Sequence, residues 1–328
     1  MKAMVIENFG GPEQLVVKEL PAPTPGYGEV LIRVRAFGIN RAETYFRKGA
    51  WGDVVRVSGI ECVGEVAQDP SGVFKPGETV ATIMGGMGCT RNGSYAEYTS
   101  VLSTHVFRVT TTLDWADLAA IPESYGTAWS CIFGSLKVVP GAGGSIVIRG
   151  GTSAFGQAAI NVAREAGLSV IASTRSEDKA QTLRSLGAEV LIDSPDLSKT
   201  VRKLYPDGVD SVLELVGNST LLDSLKMARV GGRVCMAGFL GGGAPVSFDP
   251  LSGDMPIGVD FNFYASFALG TPGFPPSAIP MQQLVDRAAS GVYQAKPARI
   301  FEFADIPEAH RLMETNEANG KIVVVMPS

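Results

Sequence analysis

The residues best suited to chemistry in this chain are the small ones at 150–156, Gly-Gly-Thr-Ser-Ala-Phe-Gly. The β-branched run Ser145–Arg149 before them predicts a strand, and alanine and valine at helical spacing after them predict a helix that ends at Gly167. A glycine turn between a strand and a helix places backbone N–H groups where they can bind the phosphates of a dinucleotide. The residues predicted to do so are Gly150, Gly151, Thr152, Ser153, Ala154, Phe155 and Gly156.

This turn is an imperfect version of the dinucleotide fingerprint, which has glycine at its first, third and sixth positions. Those positions are Gly151, Ser153 and Gly156 here, so the middle glycine is missing. We expect the hydroxyl or the backbone N–H of Ser153 to face the pyrophosphate. An ordinary α/β turn that binds nothing is the alternative interpretation.

The elements around the turn must position it. Strands and helices alternate from Ser145 to Ala237, which predicts a parallel sheet with helices on both faces. Ligands of such sheets bind beyond the carboxyl ends of the strands. The loops predicted at that edge are 150–156, 173–179, 216–218 and 238–243.

The rest of the chain has a different pattern. Residues 1–122 predict short strands separated by glycine and proline turns, which favours an irregular β-barrel. Runs at 298–303 and 319–326 predict strands that return to this barrel. We therefore predict an α/β protein with a substrate domain at 1–122, a nucleotide-binding domain at 123–265, and a return to the substrate domain at 266–328.

Composition excludes several classes of protein. The chain has 328 residues and a formal charge of −5, so it lacks the basic excess of a nucleic-acid-binding surface. No apolar run is long enough to span a bilayer, and no secretory signal is visible at the start. The four cysteines are scattered without a C-x-x-C pair, which argues against a zinc cluster and fits a reducing cytoplasm.

Several short motifs, each present once, follow one another in a fixed order along the whole chain. They are MKAMVIENFGGPEQL at 1–15, GEVLIRVRAFGIN at 28–40, GIECVGEV at 59–66, FKPGETV at 74–80, GSYAEY at 93–98, SYGTAW at 124–129 and NGKIVVV at 319–325. In this order the chain resembles the zinc-free, quinone-oxidoreductase-like branch of the medium-chain dehydrogenase/reductase superfamily. The resemblance implies a GroES-like β-barrel domain plus a doubly wound parallel-sheet (Rossmann) nucleotide-binding domain. It also implies reduction of quinones or activated alkenes with NADPH.

The zinc-dependent relatives of that family differ from this chain at their metal ligands. Asn40 stands where they place a cysteine, and Ile60 stands where they place the histidine of Gly-His-Glu. The resemblance therefore implies hydride chemistry without a metal, in which protein hydrogen bonds replace a Lewis acid. Glu61 is expected to be a buried structural carboxylate.

The resemblance also implies which residues face the substrate. By motif position they are Asn40, Tyr45, Arg47 and Trp51, although ordinary loop packing is the alternative for Tyr45 and Trp51. Tyr45 or solvent would supply a proton, and Asn40 would help orient the substrate oxygen. Trp51 stands where enoyl-thioester reductases have a tyrosine proton donor, which counts against an enoyl-thioester substrate.

Further positions match family contacts to the cofactor. Thr127 matches the residue that binds the nicotinamide carboxamide, although a buried threonine bonded to its own helix is the alternative. The other matched positions are Val216, Gly238, Phe239, Leu240, Ser266, Phe267, Asn319 and Lys321.

The end of the second strand of the predicted sheet indicates which cofactor is used. An NAD site usually has an acidic residue there, and this chain has none between Ala172 and Ser176. Arg175 and Lys179 would instead pair with a 2′-phosphate, and Ser173 and Thr174 would add hydroxyl donors. This pattern favours NADPH, although a solvated helix start with routine charges is the alternative. Ser194 departs from the family, in which a tyrosine often contacts the 2′-phosphate.

Three functions remain open at this point. The first is an NADPH-dependent reductase of quinones or α,β-unsaturated carbonyl compounds, the second an enoyl-thioester reductase, and the third a cofactor-binding regulatory protein with little turnover. Family members are commonly homodimers that pair sheet edges. The apolar run Val259–Leu269 is predicted either to be such an edge or to be a central strand of one chain.

Overall fold

The computed structural model describes residues 1–327, which fold into strands and α-helices in the following order. The strands are β1 (Lys2–Ile6), β2 (Leu15–Glu19), β3 (Glu29–Ile39), β4 (Glu61–Gln68), β5 (Thr79–Ile83), β6 (Tyr98–Leu102), β7 (Val106–Arg108), β8 (Ser145–Arg149), β9 (Ser169–Thr174), β10 (Glu189–Ile192), β11 (Val209–Glu214), β12 (Ala228–Met236), β13 (Asp260–Phe263), β14 (Arg299–Glu302) and β15 (Ile322–Val325). The helices are α1 (Arg41–Arg47), α2 (Trp115–Ala119), α3 (Pro122–Trp129), α4 (Ala154–Glu165), α5 (Ala180–Ser185), α6 (Leu197–Leu204), α7 (Leu221–Leu225), α8 (Met281–Ala289) and α9 (Ile306–Thr315). A π-helical turn, Ser130–Ser135, follows α3.

These elements divide into two compact units. The first contains residues 1–126 together with the segment from 269 onward, and the second contains residues 127–268. The first unit is therefore interrupted in sequence, whereas the second is continuous.

The first unit is built around β3, whose sequence explains its central place. Its first half alternates between buried and more exposed residues, and its last four residues are all buried. It pairs antiparallel with β4, β6 and β15, in a sheet of order β14-β15-β3-β4-β5-β7. The last strand of the chain thus completes the sheet that β3 begins, as the returning strand predicted near residues 319–326 requires.

The second unit is a doubly wound parallel sheet of order β10-β9-β8-β11-β12-β13. All five residues of β8 are buried, as expected for a central strand covered on both faces. The strand order reverses between β8 and β11, which is where ligands bind in sheets of this kind. The predicted fold class, a GroES-like unit plus a Rossmann-like unit, is confirmed.

Four elements show where sequence patterns succeed and fail. The strands predicted at 145–149 and 189–192 have the same bounds in the structure. The helix α1 is not predicted, because its buried face contains Glu43, Thr44 and Arg47 beside Phe46, so apolar periodicity does not reveal it. The apolar run near Val259 forms β13, which lies at the edge of the sheet and not at its centre.

Candidate nucleotide and acceptor sites

The glycine turn connects β8 to α4 at the switch point of the parallel sheet. Gly150 has a φ of +88°, which a side chain would strain. A Cβ on Gly156 would lie 2.7 Å from the backbone oxygen of Gly150 and 2.7 Å from the Cα of Gly151. The missing side chain therefore lets the first turn of α4 approach the strand end. In that turn the N–H groups of Ala154 and Phe155 have no acceptor within the helix, so they suit a phosphate.

Ser153 explains why the middle glycine of the fingerprint is unnecessary. Its backbone is extended, with φ −67° and ψ 158°, a conformation open to any residue. Its Oγ accepts a hydrogen bond from the N–H of Gly156 and donates one to the carbonyl of Gly150, each at 3.0 Å. Ser153 is thus the N-cap of α4. The hydroxyl and the N–H of Ser153 both donate to the carbonyl of Gly150, which does not favour the prediction that one of them faces a pyrophosphate.

The loops after β11 and β12 lie beside the glycine turn. A Cβ on Gly150 would contact Leu240 at 3.3 Å and Val216 at 3.5 Å. Gly238 lies against the backbone of Leu215, so three of the predicted cofactor segments meet at one edge of the sheet. Phe239 and Phe263 follow there, with ring centroids 5.7 Å apart.

The loop after β11 is shaped by a buried acid that the sequence reading does not single out. Glu214 accepts hydrogen bonds from the N–H groups of Val216 and Gly217, at 2.6 and 2.9 Å, and from the hydroxyl of Ser224. Burial raises the pKa of Glu214, while those hydrogen bonds and the charge of Arg149 oppose the shift. Glu214 therefore fixes the position of Val216.

At the end of β9 the four predicted 2′-phosphate residues separate into different environments. Arg175 is exposed and has no hydrogen-bond or ion-pair partner within residues 1–327. Lys179 is half-buried, and Thr174 is buried with its hydroxyl 3.3 Å from the carbonyl of Ser176. Ser173 does not offer a free donor, as its hydroxyl donates to Asp193 at 2.9 Å and accepts from the N–H of Gly150 at 3.2 Å. The prediction for Ser173 is wrong because that hydroxyl ties β9 to the glycine turn.

Arg149 at the end of β8 holds these strand ends together. Its side chain is fully buried and pairs with Asp193 at 2.7 Å and with Asp223 at 2.8 Å. It also donates to the carbonyl of Ser194 at 2.7 Å. The sequence analysis did not predict this network. The signal that could have indicated it is the charged Arg149 at the end of a strand whose central residues are apolar. Ser194, the departure from the family pattern, is thereby bound through its backbone.

The remaining predicted cofactor residues of the second unit are placed as follows. Thr127 is buried in α3. Ser266 and Phe267 lie just after β13 at the carboxyl edge of the sheet, where Ser266 is half-buried and Phe267 is exposed.

In the first unit, the predicted residues Asn40 and Lys321 meet around Glu61. The Nζ of Lys321 donates to Asn40 Oδ1 at 2.8 Å and to Glu61 Oε1, and Asn40 Nδ2 donates to Glu61 Oε1 at 2.9 Å. Glu61 is fully buried, as expected, and its other oxygen accepts from the N–H of Glu123 at 2.8 Å. A Cβ on Gly38 would lie 2.3 Å from Glu61 Oε1, so this cluster requires glycine there. Lys321, predicted to contact the cofactor, is instead held in this buried cluster.

Arg47 does not face a substrate. Its side chain is fully buried, donates to the carbonyl of Gly10 at 2.7 Å and pairs with Glu314 in α9. The prediction for Arg47 is wrong because α1 turns this residue toward its partner on α9, where a carboxylate compensates its charge.

Tyr45 and Trp51 have more open surroundings. Tyr45 is half-buried on α1, and burial raises its pKa while the charge of Arg41 partly offsets the shift. Trp51 is 42% exposed and makes an edge contact with Phe46, with ring centroids 5.7 Å apart. A flat apolar surface is therefore available to a ring-shaped ligand at Trp51.

Behind α1 lies a buried chain of titratable groups that sequence reasoning did not predict. Glu43 accepts from the N–H groups of Asn40 and Ile60, and from the hydroxyl of Tyr95 at 2.8 Å. The Tyr95 oxygen lies 2.9 Å from Nε2 of His310. Burial raises the pKa of Glu43 to about 7, and burial and the charge of Arg47 lower the pKa of His310 to about 3.

Residues 1–327 lack two features that would change the class of site. No group of three histidine, cysteine or acidic side chains is placed to hold a metal ion. No helix in that range is long and apolar enough to cross a membrane.

The chain is similar in sequence and in fold to known oxidoreductases. Residues 26–111 match the alcohol dehydrogenase GroES-like domain, and residues 154–259 match the zinc-binding dehydrogenase family. Human quinone oxidoreductase is 31% identical over 256 residues, covering 74% of each chain. The 2-haloacrylate reductase of a Burkholderia species is 29% identical over 338 residues, covering 98% of each chain. A mycobacterial protein solved in complex with NADPH superposes with a TM-score of 0.85 at 25% identity, covering 99% of each chain.

The matched families and relatives identify the chain as an oxidoreductase with a nucleotide-binding unit. Within that class, the chain belongs to the quinone-oxidoreductase-like branch of the medium-chain dehydrogenase/reductase superfamily.

Proposed function

We propose that the protein is an NADPH-dependent reductase of quinones or α,β-unsaturated carbonyl compounds that works without a metal. The observation that carries the cofactor assignment is Arg175, an exposed and unpaired cation within residues 1–327 directly after β9, where no acidic residue stands between Ala172 and Ser176. A guanidinium there suits a 2′-phosphate, and the strand end lacks the acidic residue that usually binds the ribose of NAD.

The residues of the glycine turn fit the rest of such a cofactor. The space left by the absent side chain of Gly156, and the N–H groups of Ala154 and Phe155 in the first turn of α4, suit a pyrophosphate. When bound, a nicotinamide cofactor supplies the hydride. Val216 and Leu240, which lie beside Gly150, would bound the adjoining part of the cofactor.

Metal independence is supported by the cluster around Glu61. Asn40 and Ile60 replace two ligands of the zinc-dependent relatives, and the ammonium of Lys321 lies against Asn40 and Glu61. A cation is thus already present beside the one carboxylate of that cluster. Positioning and protein hydrogen bonds would then carry the catalysis.

We propose that Tyr45 or solvent delivers the proton. The phenol is protonated at neutral pH, and the charge of Arg41 opposes the rise in its pKa that burial causes, which favours donation of the proton. Trp51 would stack on the ring of a quinone or on the flat system of an enone. The two acceptor classes correspond to the relatives named quinone oxidoreductase and 2-haloacrylate reductase.

A steady-state assay tests the proposal. Oxidation of NADPH and of NADH is followed with a quinone and with an α,β-unsaturated ketone as acceptors. We expect turnover with at least one acceptor and a lower KM for NADPH than for NADH. Binding of NADPH without oxidation by any acceptor would contradict the proposal and indicate a cofactor-binding regulatory protein. Preference for an enoyl thioester over both acceptors would indicate an enoyl-thioester reductase.

We also propose a homodimer formed through β13. One edge of this strand pairs with β12, and its other edge has no strand partner among residues 1–327. Phe261 and Phe263 on it are 40% and 53% exposed. An unpaired edge with exposed phenylalanines is suited to pairing with a second copy. Gel filtration of the wild type and of Phe263→Lys tests this, with a shift of the variant to the monomer expected.

The compartment is assigned to the cytoplasm. The four cysteines are all free thiols, and Cys62, Cys131 and Cys235 are buried. Unpaired thiols are typical of reducing compartments. Fractionation of the source cells tests this assignment.

A further inference from the structure

One half-buried cation in the first unit forms no ion pair within residues 1–327. Arg41, the first residue of α1, donates from Nη2 to the side-chain oxygen of Asn316. Its Nε is buried and has no hydrogen-bond partner, and no carboxylate within residues 1–327 lies at ion-pair distance from its guanidinium. A half-buried guanidinium has lost part of its hydration, so leaving it unpaired is unfavourable.

Cations outnumber carboxylates around Arg41. Arg47 and Lys48 both pair with Glu314, which is therefore shared between two cations already. Burial lowers the pKa of Arg41, and the carboxylate of Glu314 only partly opposes the shift. The end of α9 thus supplies one carboxylate for three cations on and beside α1.

The position of Arg41 relates it to the acceptor. It directly follows Asn40, and it lies four residues before Tyr45, so the two side chains share one face of α1. Asn316, which holds the guanidinium, adopts a left-handed conformation with φ 61° at the end of α9. The guanidinium is therefore anchored at one nitrogen and retains unused donors beside the proposed proton donor.

We propose that Arg41 binds a carboxylate on the acceptor, so that the natural acceptors are α,β-unsaturated carboxylic acids. This inference rests on the proposed reductase function and narrows its substrate class. A guanidinium binds a carboxylate through two parallel hydrogen bonds, and its charge persists at every physiological pH.

Hydride addition to an unsaturated acid builds up negative charge that a cation such as Arg41 would stabilise. Hydride from the reduced nicotinamide adds to the β-carbon of the acid, and the π electrons of the C=C bond move onto the α-carbon and the carboxylate. The nicotinamide is oxidised, and a proton from Tyr45 or solvent completes the saturated acid. Because the acceptor is already an anion, hydride addition builds a second negative charge. Arg41 would stabilise that charge, which a neutral enone never develops.

Matched acceptors separate this role from a structural one. Methacrylate and 3-methylbut-3-en-2-one have the same alkene and differ in carboxylate against methyl ketone. For Arg41→Gln, which keeps a donor for Asn316, we expect the ratio of kcat/KM for the acid to that for the ketone to fall about 10–100-fold. Arg41→Lys should restore part of the ratio. Lys48→Ala, which removes a nearby exposed cation, should leave the ratio within about threefold.

A binding measurement makes the inference independent of turnover. Calorimetry with the cofactor-free protein uses isobutyrate as a saturated acid and inorganic phosphate as a second oxyanion. Saturable isobutyrate binding that Arg41→Gln weakens about 10-fold or more is expected. Equal binding to wild type and variant, or none to the wild type, would overturn the inference. If phosphate binds at Arg41 more tightly than isobutyrate, the proposal that the site binds a carboxylate would be overturned. The site would then be assigned to a phosphorylated acceptor.

The two proposals fail in different ways. Isobutyrate binding through Arg41 without NADPH oxidation by any acceptor would refute the reductase function alone. Turnover of both acceptors with an unchanged acid-to-ketone ratio in Arg41→Gln would refute the role of Arg41 alone.

Discussion

The ammonium of Lys321 donates to the side-chain oxygen of Asn40 at 2.8 Å, while the amide nitrogen of Asn40 donates to Glu61 at 2.9 Å. The amide of Asn40 is thereby held at both ends, and its orientation is fixed by an ion pair. Asn40 is thus part of a buried electrostatic cluster, which explains how its neutral side chain remains ordered.

Breaking that cluster should strongly destabilise the first unit. Lys321→Met leaves Glu61 buried without a cation, so we expect the free energy of unfolding to fall by about 3–5 kcal/mol in urea titrations. The double variant Glu61→Gln/Lys321→Met removes both charges and should recover part of that loss. Lys199→Ala, which breaks an exposed pair with Asp196, should change stability by less than about 1 kcal/mol. A loss below about 1 kcal/mol for Lys321→Met would contradict the structural role of the pair.

The cofactor preference should depend on Arg175. For Arg175→Ala we expect the Kd for NADPH to rise about 10–100-fold, because a charge-assisted hydrogen bond to the 2′-phosphate is lost. The Kd for NADH, which lacks that phosphate, should stay nearly constant. Arg184→Ala is the matched control, because Arg184 is an exposed arginine already paired with Glu177 at 2.7 Å. Equal weakening of both cofactors by Arg175→Ala would place the 2′-phosphate elsewhere.

The close approach at Gly156 should be essential to the turn. In Gly156→Ala the added Cβ meets backbone atoms at 2.7 Å, which cannot move as a flexible side chain would. We expect a loss of about 1–3 kcal/mol of stability together with weaker cofactor binding, measured by thermal unfolding and fluorescence titration. Gly243→Ala is the control, since its Cβ would meet no atom within 4 Å. Normal NADPH binding by Gly156→Ala would show that the turn is looser than the structure indicates.

The Glu43–Tyr95–His310 chain should produce two opposing pH dependences. The folded-state pKa of Glu43 is about 7, above its ordinary 4.5, so its contribution to stability is complete below pH 4.5 and is lost as the pH rises through 7. The folded-state pKa of His310 is about 3, below its ordinary 6.5, so its contribution is complete above pH 6.5 and is lost as the pH falls toward 3. Between about pH 4.5 and 6.5 the two slopes oppose each other.

Single variants should reveal each slope. The stability of the wild type relative to Glu43→Gln should fall between pH 4.5 and 7, and its stability relative to His310→Gln should rise between pH 3 and 6.5. Each slope is at most about 1.4 kcal/mol per pH unit for one proton. Urea unfolding in a series of buffers measures both. Parallel pH profiles for the wild type and both variants would mean that neither group titrates as the buried geometry requires.

The sequence predicts most of the fold because its apolar patterns are local. The alternation in β3 and the apolar centre of β8 are visible in single stretches, and so is the glycine turn between β8 and α4. The missing middle glycine of the fingerprint could not be explained from the sequence. Ser153 occupies that position as the N-cap of α4, in a conformation that requires no glycine.

The misassigned site residues share a physical cause, which is a partner distant in sequence. Arg47 is buried against Glu314, 267 positions away, and Lys321 against Glu61, 260 positions away. The hydroxyl of Ser173 donates a hydrogen bond to Asp193, which directly follows the next strand. No periodicity within a stretch indicates that a polar side chain is already bound by a remote one.

The interrupted first unit has a consequence for the order of synthesis. Lys321 emerges 260 residues after Glu61, which at roughly 5–20 residues per second is a delay of about 13–52 s. During that time one edge of β3 awaits β15, and the carboxylate of Glu61 lacks its cation. Residues 127–268 are continuous and are translated in full within the same interval. On the ribosome, the nucleotide-binding unit is therefore the first that can be completed, although the other unit begins the chain.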